Sequence, residues 1–188
     1  LCNLADQIAY VAHDIDDGVR AGLLSIEQLQ ELSLFESQRC QALAAFPDLQ
    51  GRRLLFETLR RLLAAQSDDL IAATRTALQQ VSPDSVEAVR RAPPLLCFGA
   101  AMQQQSAAVQ HFLWLHLYRH PQVMQTTERA RVVVRELFAA YLRQPAQMPA
   151  DFARRPDHAR AVADYIAGMT DRFAAQQHQR LSGQRLLA

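Results

Sequence analysis

Lysine is missing altogether: all 20 basic residues of this 188-residue chain are arginine. Nineteen acidic residues leave a formal net charge of +1, so bulk electrostatics indicate neither a nucleic acid nor an anionic membrane surface as partner. Cysteine is scarce as well. Cys2, Cys40 and Cys97 are odd in number, far apart and without a CxxC pair, a pattern that fits neither a disulfide framework nor a zinc knuckle. No apolar run approaches the roughly 18 residues that span a bilayer, and no signal-peptide pattern appears in these residues. The expected location is a reducing cytoplasm. Glycine is limited to six residues and aromatics to 7%, while Ala, Leu, Gln and Arg, all good helix formers, fill the chain.

What is present is helical periodicity, punctuated by Pro and Gly. Leu4, Ile8, Val11, Ile15 and Val19 form an apolar stripe ending near Gly18 and Gly22. Ser25 is placed to cap a short helix through Leu32, and a further segment runs to about Ala45. Pro47, Asp48 and Gly51 break the chain before a long helix over 52–80, with Leu55, Leu59, Leu62, Leu63, Leu70 and Ile71 expected inward. Ser82-Pro83-Asp84 is expected to cap a short turn of helix, and Pro93-Pro94 forces an extended stretch. Helices over 102–120, 121–143 and 156–182 complete the reading. No segment alternates with period two over a strand's length. The expected fold is all-α, a single helical unit over 1–188 or one lobe of a larger helical enzyme. Leu1-Cys2-Asn3 opens without methionine and runs straight into helical periodicity, so a piece of something longer is expected.

Asp6, Tyr10 and Asp14 recur at i, i+4 and i+8, which places them on one stripe of the first helix. That stripe is centred roughly 140° from the apolar one. Two carboxylates flanking an aromatic suit a divalent cation at one end and a sugar or base at the other. The same spacing also describes an ordinary amphipathic helix with its acidic face in water, and spacing alone favours that reading.

The run from Asn3 to Gly18, Asn-Leu-Ala-Asp-Gln-Ile-Ala-Tyr-Val-Ala-His-Asp-Ile-Asp-Asp-Gly, closely resembles the "ADxIAYxxHDxDDG" helix of dGTPase-like HD-domain proteins. In that family a His, a His-Asp dyad and a distant Asp hold the metal, and the resemblance makes Asp6 the distant Asp. Tyr10 matches a tyrosine that packs against deoxyribose. Asp14 matches an aspartate that hydrogen-bonds the sugar 3′-hydroxyl. The adjacent pair His13-Asp14 is therefore not the metal dyad, which in the family lies upstream of this helix and outside these residues.

Two further runs carry the resemblance. Asp164 to Phe173 resembles the family's "DYIAGMTDRF" signature. There Val162, Ile166, Met169 and Phe173 are expected to form a core stripe, and Gly168, inside the helix, to mark a close helix contact. Phe112 to Pro121 resembles the family's "FLxxxLYRHP" helix end. Tyr118 in that run fits either half-buried packing or the nucleotide pocket, and Gln110 stands where the family often has a basic residue. Arg52 and Arg53 lie where the family tends to supply a triphosphate-contacting arginine, and a solvated pair fits them equally. The histidines at 111, 116, 158 and 178 show no ligand spacing and read as surface or helix-packing residues.

The resemblance implies a multi-helix bundle forming the C-terminal lobe of a dNTP triphosphohydrolase, with deoxynucleoside triphosphate as substrate. It also implies Mg²⁺ or Mn²⁺ as cofactor and a homo-oligomer. In that chemistry the metal polarises the α-phosphate and lowers the pKa of an attacking water. Asp6 is the one metal ligand these residues would contribute, and they bring no other catalytic group. The alternative is a non-catalytic helical interaction module, inactive in isolation, because one aspartate cannot hold a catalytic divalent ion.

Overall fold

The structure, a computed structural model, describes residues 2–184 and residue 186. The first apolar stripe winds into α1 (Cys2–Arg20), which buries Ile8, Val11, Ala12, Ile15 and Gly18. Gly22 ends that path, and Ser25 caps α2 (Ile26–Gln30) as expected, its hydroxyl accepting from Gln28 N–H while the Gln28 side chain accepts from Ser25 N–H. Then come α3 (Ser33–Ala45), the long α4 (Gly51–Val81), α5 (Val86–Arg91) and α6 (Ala100–Leu113). A π-helical turn, Trp114–Tyr118, extends α6. The second half of the chain forms α7 (Pro121–Arg143), a 3₁₀ turn (Pro145–Gln147), α8 (Ala150–Ala153), α9 (His158–Ala167) and α10 (Asp171–Ser182). Ten α-helices and no strand occur among the described residues.

Residues 1–120 form one compact unit and residues 121–188 another. In the first, α3 and α1 pack on α4, and α6 packs on α1 and α3. Their shared core contains Ile15, Leu29, Phe35, Leu62, Val109 and Leu113. Each such side chain, fully buried, stabilises the fold by about 1.5–3 kcal/mol. Gly18 is demanded by this packing: a Cβ there would lie 2.6 Å from Leu24 Cδ1 and 3.2 Å from Leu117 Cδ1. Two polar ties fix α6 against α4. Gln66, buried, donates to Ser106 Oγ at 3.0 Å, and Asp69 accepts from Gly99 N–H at 2.8 Å, capping the start of α6.

In the second unit α7 packs against α9 and α10 around Val133, Leu137, Tyr141, Met148 and Val162. Several local expectations need correction. Ile71 is 49% exposed, because α4 continues past its last buried residue, Leu70. Ser85, not the Ser82–Asp84 stretch, caps α5, while Ser82 ends α4 in the left-handed region at φ 43°. The single helix expected over 156–182 is two. Gly168 closes α9 and the Thr170 hydroxyl caps α10 by accepting from Phe173 N–H. A Cβ on Gly168 would meet only backbone oxygens of its own helix at 3.6 Å, so no close helix contact explains this glycine. Phe173, on the first turn of α10, is 38% exposed and stands outside the core stripe.

Candidate active-site cleft

Helix α1 buries one face in the first unit's core and turns the opposite face outward, leaving Asp6 exposed, Tyr10 64% exposed and Asp14 half-buried. Helix α6 supplies the facing wall. Its end widens into the π turn, where Arg119 N–H bonds the Trp114 carbonyl five residues back at 3.1 Å. Such turns re-aim side chains and are frequent at functional sites. Here Leu117 points into the core, while the hydroxyl of Tyr118 donates to Asp14 Oδ2 on α1. Pro121 then starts a new helix.

The result is a cleft of about 440 Å³ lined by Asp6, Gln7 and Tyr10 from α1, and by Gln110 and Tyr118 from the α6 side. Val11 and Leu113 give it an apolar floor, and Asn3 stands with them in its lining. Burial, followed by the hydrogen bond to Asp14 and the charge of that carboxylate, pushes the Tyr118 phenol up to about 12. At neutral pH the phenol is therefore a donor and the Asp14 carboxylate its acceptor. Trp114 sits at the same helix end, half-exposed between His111, at 6.1 Å between ring centroids, and the Arg119 guanidinium, at 4.7 Å.

The structure thus brings Asp6, Tyr10 and Tyr118 together around one cleft and joins Asp14 to it through Tyr118. It does not bring Arg52 or Arg53 there. Both are exposed on the first turn of α4, Arg52 stacks over the Phe56 ring at 5.0 Å, and neither lines the cleft. Among the described residues no three His, Cys, Asp or Glu side chains converge to hold a metal ion. A divalent cation needs more donors than Asp6 alone provides, so the donor set on this chain does not by itself fit a metal site.

Sequence reasoning missed one polar pair. His178, 2% exposed on α10, places Nε2 2.7 Å from Glu136 Oε2 on α7. Its spacing with Ala174, four residues before it, and Leu181, three residues after it, along one inward helix face was the available signal.

Residues 96–180 match the model of a family described as a phosphohydrolase-associated domain. Nearly the whole chain is similar to proteins named deoxyguanosinetriphosphate triphosphohydrolase-like. It is 45% identical to one from Ralstonia nicotianae, across 96% of this chain and 47% of that protein. One from Bordetella pertussis is 44% identical across 96% and 48%, and one from Thiobacillus denitrificans 41% across 96% and 49%. Similarity to these triphosphohydrolase-like proteins thus extends over nearly the whole chain. The chain spans about half the length of the relatives it matches. The α1–α6 cleft of this chain presents the Asp6 carboxylate, the Tyr10 and Tyr118 phenols and the Gln7 and Gln110 amides, with the Asp14 carboxylate bonded to Tyr118. No helix among the described residues is long and apolar enough to cross a membrane.

Proposed function

We propose that this chain forms one wall of the nucleotide site of a metal-dependent triphosphohydrolase that splits a deoxynucleoside triphosphate, of the dGTP kind, into deoxynucleoside and triphosphate. The observation that supports it is the convergence of Asp6, Tyr10 and Tyr118 on a single cleft, with Asp14 tied to that cleft by Tyr118. Asp6 would be one ligand of a Mg²⁺ or Mn²⁺ ion whose other ligands lie outside these residues, and the bound ion would supply Lewis acidity. Tyr10, largely exposed, offers a ring face for the deoxyribose, and the Asp14 carboxylate accepts a hydrogen bond from the 3′-hydroxyl. Because the Tyr118 hydroxyl already donates to Asp14, it fixes that carboxylate's orientation before the sugar arrives. Arg52 and Arg53 would reach a triphosphate only from outside the cleft lining. A homo-oligomer in the cytoplasm belongs to the same proposal.

The test is triphosphate release from dGTP under Mn²⁺, with intact mass measured on the same sample. Activity from a protein heavier than 21.1 kDa that disappears in Asp6→Ala would support the proposal. Retained activity in Asp6→Ala would remove Asp6 from the metal site and the proposal with it. A second reading, a non-catalytic interaction module, draws on the absence of a three-ligand cluster among the described residues. It applies to the 188-residue chain in isolation.

A further inference from the structure

Resting on the oligomer in that reading and not on its nucleotide site, we infer that residues 71–98 form a helical arm that pairs with the same arm of a second copy. Not one of these 28 residues is buried. Leu70 is the last core residue of α4, and the helix continues for eleven residues beyond it, a projection of about 16 Å. Helix α5 buries no residue at all. Yet the arm exposes six large apolar side chains: Ile71, Leu78 and Val81 on α4, Val86 and Val89 on α5, and Leu96 on the segment returning to α6. Single exposed apolar residues are ordinary, but six on one projection with no core beneath them mark a contact site. A helical extension this short is marginal in water, and local bonds hold it in place of packing. The Ser82 hydroxyl donates to the Gln79 carbonyl at 2.8 Å, Ser85 Oγ accepts from Ala88 N–H at 3.1 Å, and the Gly99–Asp69 bond ties the base. Pro93 and Pro94 stiffen the return segment. A preformed element of this kind lowers the ordering cost of association.

The arm suits a copy of itself. Ile71, Thr74, Leu78 and Val81 recur at intervals of three and four, so they share one face, with the spacing by which two helices interlock. Arg75 is the one charged residue from Ile71 to Val81. On α5 the Glu87 carboxylate lies 3.5 and 3.6 Å from Arg90 and Arg91. In a two-fold pairing each surface meets itself, and this one sets few like charges against each other. Val134 on α7 is also 48% exposed, but it lines a groove with Arg131 and Arg135, which self-pairing through α7 would oppose to their own copies. Size agrees as well: stable interfaces use about 20–30 residues a side, and the arm offers 28.

The experiment measures the mass of the purified 188-residue chain by light scattering and its association by sedimentation over about 1–100 μM. A mass of at least twice 21.1 kDa is expected. Leu78→Asp and Val86→Asp, each placing a carboxylate in the contact, should each weaken association about tenfold or more. Val134→Asp, the same change at an exposed position on α7, should leave association unchanged. Circular dichroism on each variant verifies the fold. In the unmodified chain, amide hydrogen exchange over 71–98 should slow as concentration rises. A monomer throughout the range would overturn the arm pairing and the homo-oligomer together. An oligomer that survives both arm variants, an oligomer lost in Val134→Asp, or exchange over 71–98 indifferent to concentration would overturn the arm pairing and leave the homo-oligomer standing. The nucleotide site is judged separately by the Asp6→Ala assay.

Discussion

Asp14 and Tyr118 are 104 residues apart in the chain and share one hydrogen bond. The phenol that makes it is raised from 10.0 to about 12, chiefly by burial, and its proton is held more tightly in the folded protein than in the unfolded chain. The stability this contributes is therefore complete below pH of about 10 and lost as pH rises through about 12. In ultraviolet titration Tyr118 should ionise later than an ordinary tyrosine, and Asp14→Ala should bring it earlier. Tyr118→Phe should flatten the fall in urea stability across that window, and an unchanged fall would show that other groups cause it. A second residue-scale expectation concerns Gly18, whose missing Cβ accommodates Leu24 and Leu117. Gly18→Val should cost about 2–3 kcal/mol in denaturant unfolding through overpacking. A cost near zero would mean that the two leucines yield freely. Asp6, Tyr10 and Asp14 were legible as one stripe because α-helical spacing is local. Asp14's partner was not, because nothing in the letters near Tyr118 states which helix its hydroxyl faces.

Among the elements, α4 organises the first unit. Near its start the Glu57 carboxylate is gripped by Arg60 and Arg61 at 2.7 and 2.8 Å and pulled down to about 2, the hydrogen bond to Arg60 being the largest cause. Its contribution is present above about 4.5 and lost as pH falls through about 2. Further along, Asp69 caps α6 from across the bundle. Asp69→Ala should lower stability by about 1 kcal/mol, and Asp69→Asn, which still accepts, should recover most of it. Equal losses in both variants would mean that charge, not capping, matters there. In the second unit, His178→Leu keeps apolar bulk while removing the ring nitrogen that meets Glu136, and should cost about 1–3 kcal/mol in urea unfolding. Helix existence and the long α4 were readable from periodicity. The break between α9 and α10 was not, because a helix-compatible stretch with one glycine reads as continuous until the Thr170 cap is seen.

At the scale of the whole molecule, the chain has two compact units and about half the length of the relatives it matches. The purified 188-residue chain should release no triphosphate from dGTP with Mg²⁺ or Mn²⁺, since Asp6 lacks companion ligands among the described residues. Metal-dependent release from a sample of 21.1 kDa would contradict this.

The amino-acid sequence by itself determined the fold class, the resemblance to triphosphohydrolase-like proteins and the face of α1 that carries Asp6, Tyr10 and Asp14. All three depend on local period and on long matching runs. Tertiary structure alone decided that α6 forms the opposite wall, that a π turn brings Tyr118 to Asp14, that Arg52 and Arg53 stay outside the cleft, and that His178 is buried against Glu136. The reason is physical: these are contacts between helices distant in sequence. Their geometry follows from how side chains such as Gly18, Gln66 and Asp69 let the helices approach and lock, which no local pattern encodes.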